Sequence, residues 1–154
     1  MSADIAKDGR PLTQGERYEK AATLLDKLFT PIWREMGDKT KTAPVAAQDF
    51  GQICVEQCYA DAWGRDTLDL KTRSIITLSA LAAMGCHEEI KMHTRIALNI
   101  GHTQSDILEF FIQLIPYVGV PKMLGAMRSA GEVFAQIAAA ETKSAPAGAT
   151  SSKT

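Results

Sequence analysis

Between Asp69 and Gly85 the chain reads LKTRSIITLSALAAM, and no other stretch limits the possible folds as strongly. From Ser74 to Met84 it is almost wholly apolar or small, the composition of a helix buried on most sides. Asp69 has the residue type of an N-cap and Gly85 that of a C-terminal stop, so a helix is predicted over Leu70–Met84. The segment that follows, Cys86–His93 (CHEEIKMH), sets a problem of its own. Cys86, Glu89 and His93 are spaced three and then four apart, so on a helix they share one face. Ile90, Ile96, Ala97 and Ile100 lie at or beside that face, which is therefore turned toward the core. Titratable groups placed there need partners or a function, because burying them unpaired costs about 1–3 kcal/mol or more each.

The remaining punctuation is helical throughout. Residues 1–12 are polar, carry Gly9 and Pro11, and read as a loose arm. Thr13 and Glu16 have capping-box spacing and begin a helix expected to reach about residue 36. Its apolar stripe is Ala21, Leu24, Leu25, Leu28, Ile32 and Trp33, with a bend or split at Pro31. After a solvated connection over 37–42, a second helix is expected over 44–63, with Pro44 in its first turn. A fourth covers about 87–100 and stops at Gly101. Thr103 and Asp106 repeat the cap-plus-acid signal for a fifth over 104–115, broken by Pro116. Pro121 opens a sixth reaching about residue 140, and 141–154 is a small-residue tail that cannot bury surface. The expectation is an all-α single domain over 13–140 with about six helices and no strand. The third and sixth helices are small or apolar around most of their circumference, which points to a homo-oligomer.

Composition removes several classes of function. A net charge of −1 offers no reason to expect nucleic acid or an anionic membrane surface as a partner. No run approaches the roughly 18 apolar residues that span a bilayer. The first residues carry no apolar stretch of a secretory signal, and three cysteines fit a reducing compartment, so the expected location is cytoplasmic.

Several residue groups carry possible chemistry. Glu89 and His93, one turn apart, form either an acid–base pair in which the carboxylate raises the proton affinity of the imidazole, or a surface ion pair beside a buried Cys86. The string after His87 is not the zinc-protease pattern, since Lys91 stands where the second His belongs. Cys86, Glu89 and His93 on one helix have no supporting ligand elsewhere, so no metal is expected. Cys54 and Cys58, also one turn apart, lack redox-motif spacing and read as small buried residues that helix geometry keeps from bridging. Arg65, Arg73 and Arg95 are suited to bidentate capture of carboxylates or to ordinary helix-end ion pairing. His102, in a turn before a helix, reads as a surface residue.

Four blocks of the chain resemble the carboxymuconolactone decarboxylase family. Trp63–Ser74 (WGRDTLDLKTRS) is similar to its W-x-R-P-G-L-x-x-x-T-R-S run, and Glu89–Arg95 to its E-L-[RK]-x-H-x-R helix. Asn99-Ile100-Gly101-His102-Thr103 and Tyr117-Val118-Gly119-Val120-Pro121 resemble its N-x-G-x-T and Y-x-G-x-P punctuation. The resemblance implies an all-α fold shared with alkyl hydroperoxidase D-like proteins, assembled as trimers or hexamers, with a pocket near His93. The peroxidase motif of that superfamily needs a cysteine pair and a distant glutamate. Aligned on His93, this chain has Cys86, Glu89 and Ser74 at those places, so the disulfide cycle within the motif is absent.

The decarboxylase reading implies catalytic His93 and Glu89, with Arg65, Arg73, Arg95, Cys86, Trp63 and Tyr117 about the substrate. That substrate would be a small carboxylated lactone or related unsaturated acid from aromatic catabolism. Such a compound is its own electron sink, so no cofactor is required. Two alternatives use the same fold: a Cys86-dependent peroxidase or thiol redox protein, and a non-catalytic small-molecule-binding oligomer. Arg65-Asp66-Thr67-Leu68 replaces the family's R-P-G-L turn, and Cys86 stands where the decarboxylases often carry Arg. Both departures bear on which substrate is taken more than on the fold.

Overall fold

The computed structural model describes residues 12–29 and 42–144. Among them every regular element is helical, and there is no strand. Helix α1 spans Gln14–Phe29, and α2 runs from Val45 through Cys54 and continues as a π-helix over Val55–Trp63. Then come α3 (Leu70–Met84), α4 (His87–Asn99), α5 (Gln104–Val118) and α6 (Val120–Ser144). The expected arm and tail, and the expected bend at Pro31, fall mostly or wholly outside the described residues.

Caps placed by the sequence do their work. The Glu16 carboxylate accepts from Thr13 N at 2.8 Å, and Glu16 N donates to Thr13 Oγ1 at 3.4 Å. At α3, Asp69 accepts from Thr72 N at 2.8 Å, and the backbone and hydroxyl of Thr72 hold the Asp69 carboxyl below the usual carboxylate range. Gly85 closes α3 at φ 80°, a conformation that costs glycine little and other residues more. Thr103 and Asp106 form a reciprocal capping box at α5.

Pro116 does not end α5 where the sequence expectation put the break. The helix continues through it to Val118 and is closed by Gly119, whose N–H bonds Ile115 O at 2.9 Å. A proline in the last turn removes one backbone donor near an end where order is already running out, so the helix absorbs it. Likewise α6 carries on past Ala140 to Ser144.

Helix α4 is the hinge of the packing, touching α1, α3, α5 and α6. One face enters a cluster with Leu78 and Ala82 of α3, Ile107 and Phe111 of α5, and Met123 and Ala126 of α6, all essentially inaccessible. The other face sends Ile96 into a second cluster with Leu28 of α1 and Trp63 at the end of α2. Each fully buried Leu, Ile, Phe or Met side chain among these contributes about 1.5–3 kcal/mol. His93 lies on α4 between these two bodies of apolar contact, and that placement defines the site.

Candidate active site around His93

His93 is buried, with 8% of its surface exposed, and its ring faces Trp63 at a centroid distance of 6.0 Å and a tilt of 31°. Trp63 is delivered by the π-helical end of α2, and Gly64 lets the chain turn immediately after it. A Cβ on Gly64 would meet Ala60 O at 2.7 Å and Tyr59 O at 2.9 Å, so only glycine fits there. Tyr59 extends the line of rings, 6.4 Å from Trp63 and 5.8 Å from Phe29. Its phenol is pushed up to about 12, first by burial and then by the neighbouring Cys58 and Cys54. Tyr59 was not among the residues singled out from the sequence; its signal was its place one turn before Trp63.

Burial dominates the electrostatics of His93. Its proton affinity falls from the ordinary 6.5 to about 4 through burial, with the Glu89 charge offsetting only part of that loss. The sequence expectation of a raised affinity is reversed, because Glu89 is exposed and solvent weakens its pull while the imidazole itself is desolvated. At neutral pH the ring is uncharged. Its Nδ1 is buried with no hydrogen-bond partner, and so are the hydroxyls of Thr94 on α4 and Ser74 on α3.

The arginines divide into separate roles. Arg73 spends its guanidinium on the loop between α2 and α3, donating to Arg65 O at 2.7 Å and Leu68 O at 3.1 Å. Arg65 itself is exposed, and its guanidinium makes no bond among the described residues. Arg95 faces α6, where it donates to Gln136. It belongs to a polar seam in which Lys91 Nζ lies 2.7 Å from Glu132 and His87 Nδ1 lies 3.4 Å from Ser129 Oγ. Tyr117, at the end of α5, is 78% exposed. Cys86 is half-buried at the N-cap of α4, and its side chain makes no capping bond.

Two further sequence expectations are corrected. His102 is not a surface residue: it is buried, its Nε2 lies 3.2 Å from Lys71 O, and its ring packs edge-on to Phe110. The turn that carries it is held down by Lys71, whose ammonium donates to Gly101 O at 2.6 Å. Cys58 is exposed rather than buried, and Cys54 is half-buried. Among the described residues no group of three or more His, Cys, Asp or Glu is placed to hold a metal ion. A cleft of about 290 Å³ lined by Gln14, Asp49, Gln52, Ile53 and Glu56 includes none of the candidate residues.

The chain is 33% identical over 96 residues to a 4-carboxymuconolactone decarboxylase of Acinetobacter baylyi, covering 62% of this chain and 72% of that protein. It is 33% identical over 76 residues to a nitrosuccinic acid decarboxylase of Metarhizium robertsii, 49% of this chain and 53% of the relative. An uncharacterised 15.0 kDa protein of Paracoccus denitrificans is 32% identical over 104 residues, 66% of this chain and 75% of its own. A family model matches residues 48–132, from within α2 to within α6 and including Trp63 and His93: the chain belongs to the carboxymuconolactone decarboxylase family.

Proposed function

We infer that this protein is a cofactor-independent decarboxylase of small acids whose carboxylate is attached next to an electron-accepting group. The observation that carries this reading is His93, an uncharged imidazole with an unpartnered buried Nδ1 beside Trp63. An orphaned nitrogen of this kind costs about 1–3 kcal/mol, which a hydrogen bond to a bound ligand would recover. The names of the Acinetobacter and Metarhizium relatives supply two substrate types with one shared logic. In 4-carboxymuconolactone the electron pair left by departing CO2 passes through the ring double bond to the lactone carbonyl. In nitrosuccinic acid it passes onto the nitro group.

In either case the carbon–carbon bond to the carboxylate breaks, CO2 leaves, and a negative charge develops on oxygen. Neutral His93 is suited to hold that oxygen, because a desolvated, fixed N–H is worth more there than in water. Glu89, exposed one turn before it, is suited to bring in the proton that the product carbon takes up. Arg65, whose guanidinium makes no bond among the described residues, is suited to take the substrate carboxylate, whereas Arg73 serves the loop that carries it. Trp63 forms an apolar wall that keeps the imidazole dry.

Exposed Ile76, Met84, Ile112, Val120 and Leu124 on α3, α5 and α6 support a homo-oligomer, a trimer or hexamer. No helix among the described residues is long and apolar enough to cross a membrane, and we place the protein in the cytoplasm. The test is to supply purified protein with 4-carboxymuconolactone and, separately, nitrosuccinate, following CO2 release with His93→Ala alongside. Release from one of them that disappears in the variant supports the reading. Release from neither, by folded wild-type protein, contradicts it.

A further inference from the structure

The decarboxylation just described leaves Asn99 without a role, although this residue opens the N-x-G-x-T block and closes α4. Asn99 is exposed and belongs to neither core cluster, so its side chain has no packing duty. It nonetheless reaches across 71 positions of sequence, where its Nδ2 donates to Leu28 O at 2.9 Å. Leu28 lies in the last turn of α1, and its side chain is fully buried in one cluster with Trp63 and Ile96. The same residue is therefore held twice, its backbone by Asn99 and its side chain by the cluster that contains Trp63.

From there a line of ring contacts runs to the site. Phe29, next to Leu28, stands edge-on to Tyr59 at 5.8 Å, Tyr59 meets Trp63 at 6.4 Å, and Trp63 meets His93 at 6.0 Å. Helix α1 packs on the π-helical end of α2 and on α4, so its last turn backs the Trp63 wall. Apolar contacts are non-directional and leave such a wall room to shift. A hydrogen bond fixes distance and angle. Asn99 supplies that restraint from α4, the helix that also carries His93.

We propose that Asn99 is a positioning residue for His93: through Leu28 it sets how closely the Trp63 wall seats on the imidazole. It serves the role of His93 inferred above and rests on that reading, but its consequence is physical and needs no turnover. Without the bond the end of α1 draws back, Trp63 loosens and water reaches the ring. Burial is the first cause of the low proton affinity of His93, and Glu89 on its own helix is the charge that acts on it. The α2 side presents Trp63 and the Tyr59 phenol, which is uncharged at neutral pH because it is pushed up to about 12. Letting water in therefore raises the affinity of His93 back toward 6.5.

The test uses the full-length chain carrying Trp33→Phe, which leaves Trp63 as the tryptophan observed. Asn99→Ala removes the amide, and Asn99→Asp keeps its shape but loses the donor. Both variants fold, because position 99 is exposed. In both, Trp63 emission should move to longer wavelength and acrylamide should quench it faster. The midpoint of the His93 ring signal in an NMR titration should rise by about half to one pH unit. The ring signals of His87 and His102 are the internal reference and keep their wild-type positions. Gln136→Ala is the matched control, since it also removes an exposed amide bonded to α4, through Arg95, but from the α6 side. In that variant Trp63 and His93 should read as in the wild type. Wild-type readings in Asn99→Asp, or the same change in Gln136→Ala, would overturn the proposal. None of these readouts uses CO2 release, so their failure is separable from failure of the decarboxylase reading.

Discussion

At the scale of single residues, burial makes His93 a link between stability and pH. Its folded-state proton affinity, about 4, lies below the ordinary 6.5, so the unfolded chain binds more protons between those values. Acidification from about pH 6.5 to 4 should therefore cost on the order of 3 kcal/mol, and the loss should level off below that. Urea denaturation across this range, repeated on His93→Gln, measures it: the slope is present in the wild type and flattened in the variant. Arg65 and Arg73 separate by a different measurement. Arg65→Ala should raise KM roughly tenfold or more and leave the melting temperature unchanged, as expected of an exposed carboxylate clamp. Arg73→Ala should cost about 1–3 kcal/mol of stability, and Lys should not restore it, because an ammonium cannot fork to the two carbonyls.

Position 93 was legible as a special residue because a histidine stood on an apolar stripe. Its net basicity was not, because that depends on how far Glu89 stays in water while the ring does not. Arg73 illustrates the same limit: an arginine near a cleft looks alike whether it faces a ligand or a backbone turn. His102 was misread because nothing local announces that Lys71, thirty-one residues earlier, pins its turn.

At the scale of elements, caps and glycine stops were read correctly because they are local. Asp69→Ala should destabilise α3 by about 1 kcal/mol, read as a shift of the denaturation midpoint with an unchanged slope. The π-helical winding of 55–63 was invisible in the sequence. Over nine residues its apolar period differs too little from 3.6 to register, yet it delivers Trp63 to the His93 ring. Pro116 was overweighted for a related reason: a proline breaks a helix interior, but near the C-terminal end there is little helix left to break.

At the scale of the whole molecule, α4 carries both the packing and the candidate site, with one face in the main core and the other holding Ile96 against Leu28 and Trp63. The exposed apolar side chains on α3 and α6 belong to the same account. Met84→Glu combined with Leu124→Glu should reduce the molar mass seen by light scattering toward that of one chain, while an unchanged mass would remove these helices from any interface.

The central claim is that neutral His93 stabilises charge as CO2 departs. The most direct test is the pH dependence of kcat/KM for CO2 release from 4-carboxymuconolactone, in wild type and His93→Ala. The account predicts an acid limb near the His93 value of about 4 and a loss of at least about 100-fold in the variant. A limb near 6.5, or a variant that keeps the wild-type rate, would contradict it.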